Sequence, residues 1–102
     1  MEITGKKLED LLKSNKTVMV EFWGSWCPPC QHMSNVLDDL EKNYNGKIEI
    51  AKVNVDKNPT ISKKFDVIGV PTFMVFQKGK IIHRDVGAKS AKQLQDIIEN
   101  VI

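Results

Sequence analysis

The sequence predicts an α/β fold in which a central mixed sheet of four to five strands carries helices on both faces. Three observations lead there. Helical and strand patterns alternate over the early part of the chain, which asks for parallel strands joined by a crossover helix. The run Val18, Met19, Val20, Phe22, Trp23 is nearly continuous in apolar residues, as in a strand covered on both sides. The late part holds two strand patterns joined by a turn and then one more helix, so an antiparallel pair must finish the sheet. At 102 residues the chain is long enough for a real core, and residues 1–102 read as one domain.

Leu8, Leu11 and Leu12 recur at helical spacing after Gly5, predicting a short amphipathic helix over residues 6–14. Residues 17–23 make the first strand. A long helix follows over 29–44 with Met33, Val36, Leu37 and Leu40 as its inward stripe. Asn45-Gly46 ends it, because both residues tolerate positive φ. Residues 48–55 read as a second inner strand through Ile48, Ile50, Val53 and Val55. Residues 56–58 and Pro59 turn the chain into a short helical segment that includes Ile61 and Phe65. Pro71 starts a third strand over 72–76, and Gln77-Lys78-Gly79-Lys80 reverses it into a strand over 81–86. Gly87-Ala88 breaks that strand. Residues 91–102 close the chain as a helix with Leu94, Ile97, Ile98 and Val101 inward. Phe22, Trp23, Phe73 and Phe76 are expected in the core.

Composition excludes several functions. Hydrophobic content of 41% and charged content of 27% suit a soluble globular protein. A formal charge of +2 is too small to argue for nucleic acid, and no basic run interleaves with aromatics. No apolar stretch approaches the roughly 20 residues of a membrane span. The first residues, Met1-Glu2-Ile3-Thr4-Gly5, lack the apolar segment of a signal peptide, so the reducing cytoplasm is the expected location. Nothing suggests a state other than a monomer.

The chemistry centres on Trp26-Cys27-Pro28-Pro29-Cys30, which holds the only two cysteines, three positions apart at a helix start. On a helix, positions three apart have Cα atoms about 5 Å apart, from its rise and turn per residue. A disulfide wants about 4.4–6.8 Å, so the pair can close and reopen with little backbone movement. Cys27 stands where unpaired amides and the helix dipole favour a thiolate, which makes it the expected nucleophile. Cys30, one turn inward, is the expected resolving thiol. A closed zinc site would need four ligands, and His32 and His83 are the only histidines, one adjacent to the pair and one in a late strand. Thiol–disulfide exchange fits better, with both histidines at the surface. Pro28 and Pro29 remove two of the amides a helix start would offer, leaving Cys27 to rely mainly on the Cys30 N–H.

Glu21 is a charge in an otherwise apolar strand, and Lys52 sits similarly between Ala51 and Val53. Lys52 either partners Glu21 across adjacent strands or snorkels to solvent, and Glu21 is either buried or at an exposed strand edge.

Residues 20–30, Val20 to Cys30, resemble the active-site segment of the thioredoxin family, as does Lys52-Val53-Asn54-Val55-Asp56 in the next strand. Gly69-Val70-Pro71-Thr72-Phe73 is similar to that family's cis-proline loop, and Val86-Gly87-Ala88 to its late glycine turn. The match covers nearly the whole chain and implies a thioredoxin fold. Two positions depart from the usual pattern: Pro28 replaces a glycine and Glu21 an aspartate. Asn35 stands where many bacterial members have a kinking proline, implying a straighter long helix.

The resemblance implies a protein-disulfide reductase with no bound cofactor beyond the redox-active Cys27–Cys30 disulfide. Glu21 would lie behind Cys30 as a buried acid that moves a proton through water, with Lys52 beside it. Pro71 would be cis and shape the site together with Pro28 and Pro29. Trp26, Gly69, Val70, Pro71 and Gly87 would form a flat apolar patch that binds substrate, Val70 pairing through its backbone with an extended segment. Partners would be disulfide-containing proteins and a thioredoxin reductase, either NADPH- and flavin-dependent or ferredoxin-linked. An oxidase or isomerase on the same fold, or a binding subunit using the surface without chemistry, are the competing readings.

Overall fold

The structure is a computed structural model that describes residues 1–102. Eight elements follow one another: α1 (Gly5–Lys13), β1 (Val18–Trp23), α2 (Pro28–Asn43), β2 (Glu49–Asn54), α3 (Pro59–Lys64), β3 (Thr72–Gln77), β4 (Lys80–Val86) and α4 (Ala91–Val101). Every predicted element is present, with ends moved by no more than one residue. Two of these shifts have local causes. Thr4 caps α1 by accepting from the Lys7 N–H, so that helix begins at Gly5. Cys27 caps α2, which admits Pro28 as its first residue, where a missing N–H costs nothing. Ser90 caps α4 in a reciprocal pair with Gln93.

The sheet has four strands in the order β2-β1-β3-β4. β1 runs parallel to β2 and antiparallel to β3, and β3 and β4 form the hairpin. Its turn, Lys78-Gly79, has positive φ at both residues. A single bridge from Glu2 to Lys52 lays the amino-terminal segment along the outer edge of β2. Strand alternation sorts the core into two layers. Val18, Val20, Phe22, Ala51, Val53, Met74 and Phe76 face Leu8, Leu11 and Ile61 of α1 and α3. Met19, Ile50, Phe73 and Val75 face Met33, Leu37 and Leu40 of α2 and Leu94 and Ile98 of α4.

Trp23 departs from expectation. It is half-buried, not core, and its indole N–H donates to the Glu2 carboxylate at 3.0 and 3.2 Å. The reason is position: Trp23 is the last residue of β1, level with Asn54, beyond the reach of the α2 stripe. His83 is likewise half-buried on β4, 3.6 Å from Asp85, whereas His32 is exposed.

Candidate active site

The register brings three chain segments to one end of the sheet. Phe22 of β1 is level with Thr72 of β3, and Thr72 with Val86 of β4. The turn after β1, the loop before β3 and the turn after β4 therefore emerge together. A hydrogen bond of 2.8 Å from the Gly87 N–H to the Pro71 carbonyl ties the last two. The Val70–Pro71 peptide is cis, as the resemblance implied.

Cys27 and Cys30 form a disulfide with Cα atoms 5.3 Å apart, inside the range expected from helical spacing. Cys27 is the N-cap of α2, and its sulfur accepts from the Cys30 N–H at 3.2 Å. Pro28 and Pro29 occupy the first and second helical positions. The two amides able to reach an N-cap side chain are those of the second and third positions, so Pro29 is the proline that removes a donor from Cys27. Cys27 is 5% exposed and Cys30 2%, so both are buried in the closed state and Cys30 lies slightly deeper.

Around the disulfide, Trp26 is 66% exposed, while Gly69, Val70 and Gly87 are half-buried and Pro71 is buried. The indole N–H of Trp26 donates to Asp56 at 2.9 Å, and its ring lies where a side chain on Gly24 would be, 2.8 Å from an added Cβ. Asp56 and Gly24 thus place Trp26, and sequence reasoning assigned neither a part. Two further exposed apolar residues belong to these loops and strand ends: Ile68, at 93% exposure, and Val86.

Behind the disulfide lies a cleft of about 490 Å³ lined by Glu2, Glu21, Trp23, Cys30, Ser34 and Lys52, among others. Glu21 is 1% exposed, which removes the exposed-edge alternative. Its Oε2 has no hydrogen-bond partner. Burial pushes its carboxyl up to about 8, against a smaller lowering by the Lys52 charge and a further rise from Glu2. Glu2 itself is raised by burial, with the Trp23 hydrogen bond opposing.

Lys52 corrects the expected pairing. It is level with Glu21 in the β1–β2 register and is buried, so it does not snorkel. Its ammonium nevertheless donates to Ser34 Oγ and Asp38 Oδ1 of α2, both at 2.7 Å, and not to Glu21. That hydrogen bond holds the Asp38 carboxyl below its usual range. Ser34 and Asp38 were missed by sequence reasoning, although a signal exists: Cys30, Ser34 and Asp38 recur every four residues, which makes one stripe of a helix. No group of three or more His, Cys, Asp or Glu side chains is placed to hold a metal ion, and no helix is long and apolar enough to cross a membrane.

Comparison with known proteins agrees with this arrangement. A family model described as Thioredoxin matches residues 1–100. The thioredoxin of Buchnera aphidicola subsp. Baizongia pistaciae is 38% identical over 86% of this chain and 81% of its own. That of Staphylococcus saprophyticus is 35% identical over 97% of this chain and 94% of its own. A bifunctional thioredoxin reductase/thioredoxin of Mycobacterium leprae is 38% identical over 90% of this chain and 21% of its own.

Proposed function

The chain belongs to the thioredoxin family and is a thiol–disulfide oxidoreductase of the protein-disulfide reductase type; on that premise we propose how its residues divide the work. The Cys27 thiolate attacks one sulfur of a target disulfide, forming a Cys27–target disulfide and expelling the other target sulfur as a thiolate. Cys30 then loses its proton and attacks Cys27 Sγ. The first target sulfur leaves as a thiolate, and the target has gained two electrons while the Cys27–Cys30 disulfide has formed. The observation that carries this order is the amide: the Cys30 N–H is aimed at Cys27 Sγ at 3.2 Å, which favours negative charge on that sulfur and not on its neighbour.

Glu21 takes the proton from Cys30 and returns it when the disulfide is reopened. With its carboxyl near 8, about one molecule in ten carries the basic form at neutral pH. A carboxyl close to the thiol range can move a proton in both directions with little free-energy change. Pro71 and Gly87, tied by their hydrogen bond, bound the site with Pro28 and Pro29. Trp26, Gly69, Val70 and Pro71 offer a flat surface to an extended target segment, Val70 through its backbone.

The dithiol is regenerated by a thioredoxin reductase, a partner supported by the fused reductase/thioredoxin relative. The electron donor, NADPH through flavin or ferredoxin, is left to that partner, and this chain works without a bound cofactor, as a monomer, in the cytoplasm.

Insulin reduction with dithiothreitol tests the assignment, together with trapping. Cys30→Ser should accumulate a mixed disulfide through Cys27, Cys27→Ser should trap nothing, and both should lose turnover. Adduct formation on Cys30 in the Cys27→Ser protein would reverse the roles. A measured potential more oxidising than the glutathione couple would make the protein an oxidase or isomerase instead.

A further inference from the structure

Glu21 and Lys52 are level in adjacent parallel strands, and both lie on the face turned toward α2, since Met19 and Ile50, two residues before each, pack there. A free ammonium beside a buried carboxyl would normally form a charge-assisted hydrogen bond with it. Here both hydrogen bonds of that ammonium go to α2, while Glu21 Oε2 stays unpartnered. Two carboxylates compete for one cation. Asp38 is half-exposed and keeps part of its hydration when ionised, whereas Glu21 would lose all of its own. The Ser34 hydroxyl accepts a second bond from the same ammonium one turn back on the helix, which fixes its direction.

We propose that Asp38, supported by Ser34, is a positioning residue of the redox reaction: it holds the Lys52 ammonium against α2 and withholds it from Glu21, leaving that buried carboxyl as the proton partner of Cys30. This rests on the proton role given to Glu21 above. The ionisable or charged groups facing Glu21 are Lys52 from β2, Glu2 from the amino-terminal segment and Cys30 from α2, with Asp38 of α2 reached through Lys52. β3 presents Phe73 at the level of Glu21, and α4 presents Leu94 and Ile98 to the same core layer, none of them charged. Were Lys52 to swing to Glu21, each pH unit lost from the carboxyl would make proton transfer from Cys30 tenfold less favourable. Helix α2 thus carries the resolving thiol at one end of a stripe and, two turns on, the residue that tunes its base.

The test is a carbon-13 NMR titration of the Glu21 carboxyl in the disulfide form of the whole chain. Asp38→Ala should lower the Glu21 midpoint by about one to three pH units, the range for an opposite charge coming into contact. Lys52→Met should raise it. In a Lys52→Met background, Asp38→Ala should have little effect, because there is no ammonium to release. An unmoved midpoint in Asp38→Ala, or an equal fall in both backgrounds, would overturn the clamp. The same variants are then followed through the pH profile of target release. A shift of its acid limb in step with the NMR midpoint supports the coupling to Cys30. A moved midpoint with an unmoved profile would leave the clamp standing and sink the proton role of Glu21.

Discussion

Glu21→Gln separates the cost of this buried acid from everything else in the fold. The folded carboxyl titrates at about 8, against an ordinary value of 4.5. Between those values the folded chain holds a proton that the unfolded chain does not. Stability therefore falls as pH rises through that window, the reverse of a salt-bridged carboxylate. Below about pH 4.5 the contribution is absent, and above about 8 the loss is complete. At about 1.4 kcal/mol per pH unit, the window is worth roughly 5 kcal/mol, a large share of the about 5–15 kcal/mol that holds a domain together. Glutamine stays neutral throughout and mimics the protonated acid. Any cost of fitting its amide is the same at every pH and drops out of the comparison. Denaturant unfolding of the disulfide forms at pH 4, 6, 7 and 9 reads the effect as a midpoint shift at constant slope. The advantage of the variant over the parent should be smallest at pH 4, widen through neutrality and level off above 8. A difference that is the same at pH 4 and pH 9 would refute a raised Glu21 carboxyl, and with it the base assigned to Cys30.

Two further outcomes follow from the geometry around Cys27. Pro29→Ala restores an N–H at the second helical position, where it can donate to the N-cap sulfur, and should lower the Cys27 thiol pKa by about half to one pH unit, a fraction of a full charge-assisted bond. Pro28→Gly, which restores an amide one position too early to reach that sulfur, should lower it less; thiolate absorbance against pH compares the two. Gly24→Ala would put a Cβ 2.8 Å from the Trp26 ring, so the indole must move off Asp56. The KM for insulin should rise several-fold, with a stability loss of about 1–3 kcal/mol read by denaturation.

The sheet, its order and both helical layers were legible because β1, β2 and β3 are dense in apolar residues and the loops between elements carry Gly, Pro or Asn. The cysteine pair was legible from its spacing, its place at a helix start and the family-like segments around it. What escaped reading was the direction of long side chains. Lys52 stands out of place in an inner strand, but a strand pattern says only which face a residue takes, not which of two carboxylates wins its ammonium. Trp23 was assigned to the core by its chemistry, and only the end of β1, one step past the α2 stripe, leaves its indole free for Glu2. Asp56 and Gly24 act through Trp26, whose ring reaches back over the turn. No periodicity records such a contact.

The two breaks in the apolar pattern also constrain how the fold can assemble. Glu21 and Lys52 lie level only in the register that pairs Val18 with Glu49. A slip of one residue in β1 would turn Glu21 toward the α1 and α3 layer, among Leu8, Leu11 and Ile61, where no cation waits. It would also carry Met19 and Phe22 to the wrong cores. Both faces of β1 meet apolar cores, so that slip would keep Val18, Val20 and Phe22 buried, and its cost lies in mismatched packing and in a buried acid turned away from Lys52. Packing shape on the two faces and the level placing of Glu21 and Lys52 thus favour the same register, and within it the polar residues choose among the partners left within reach.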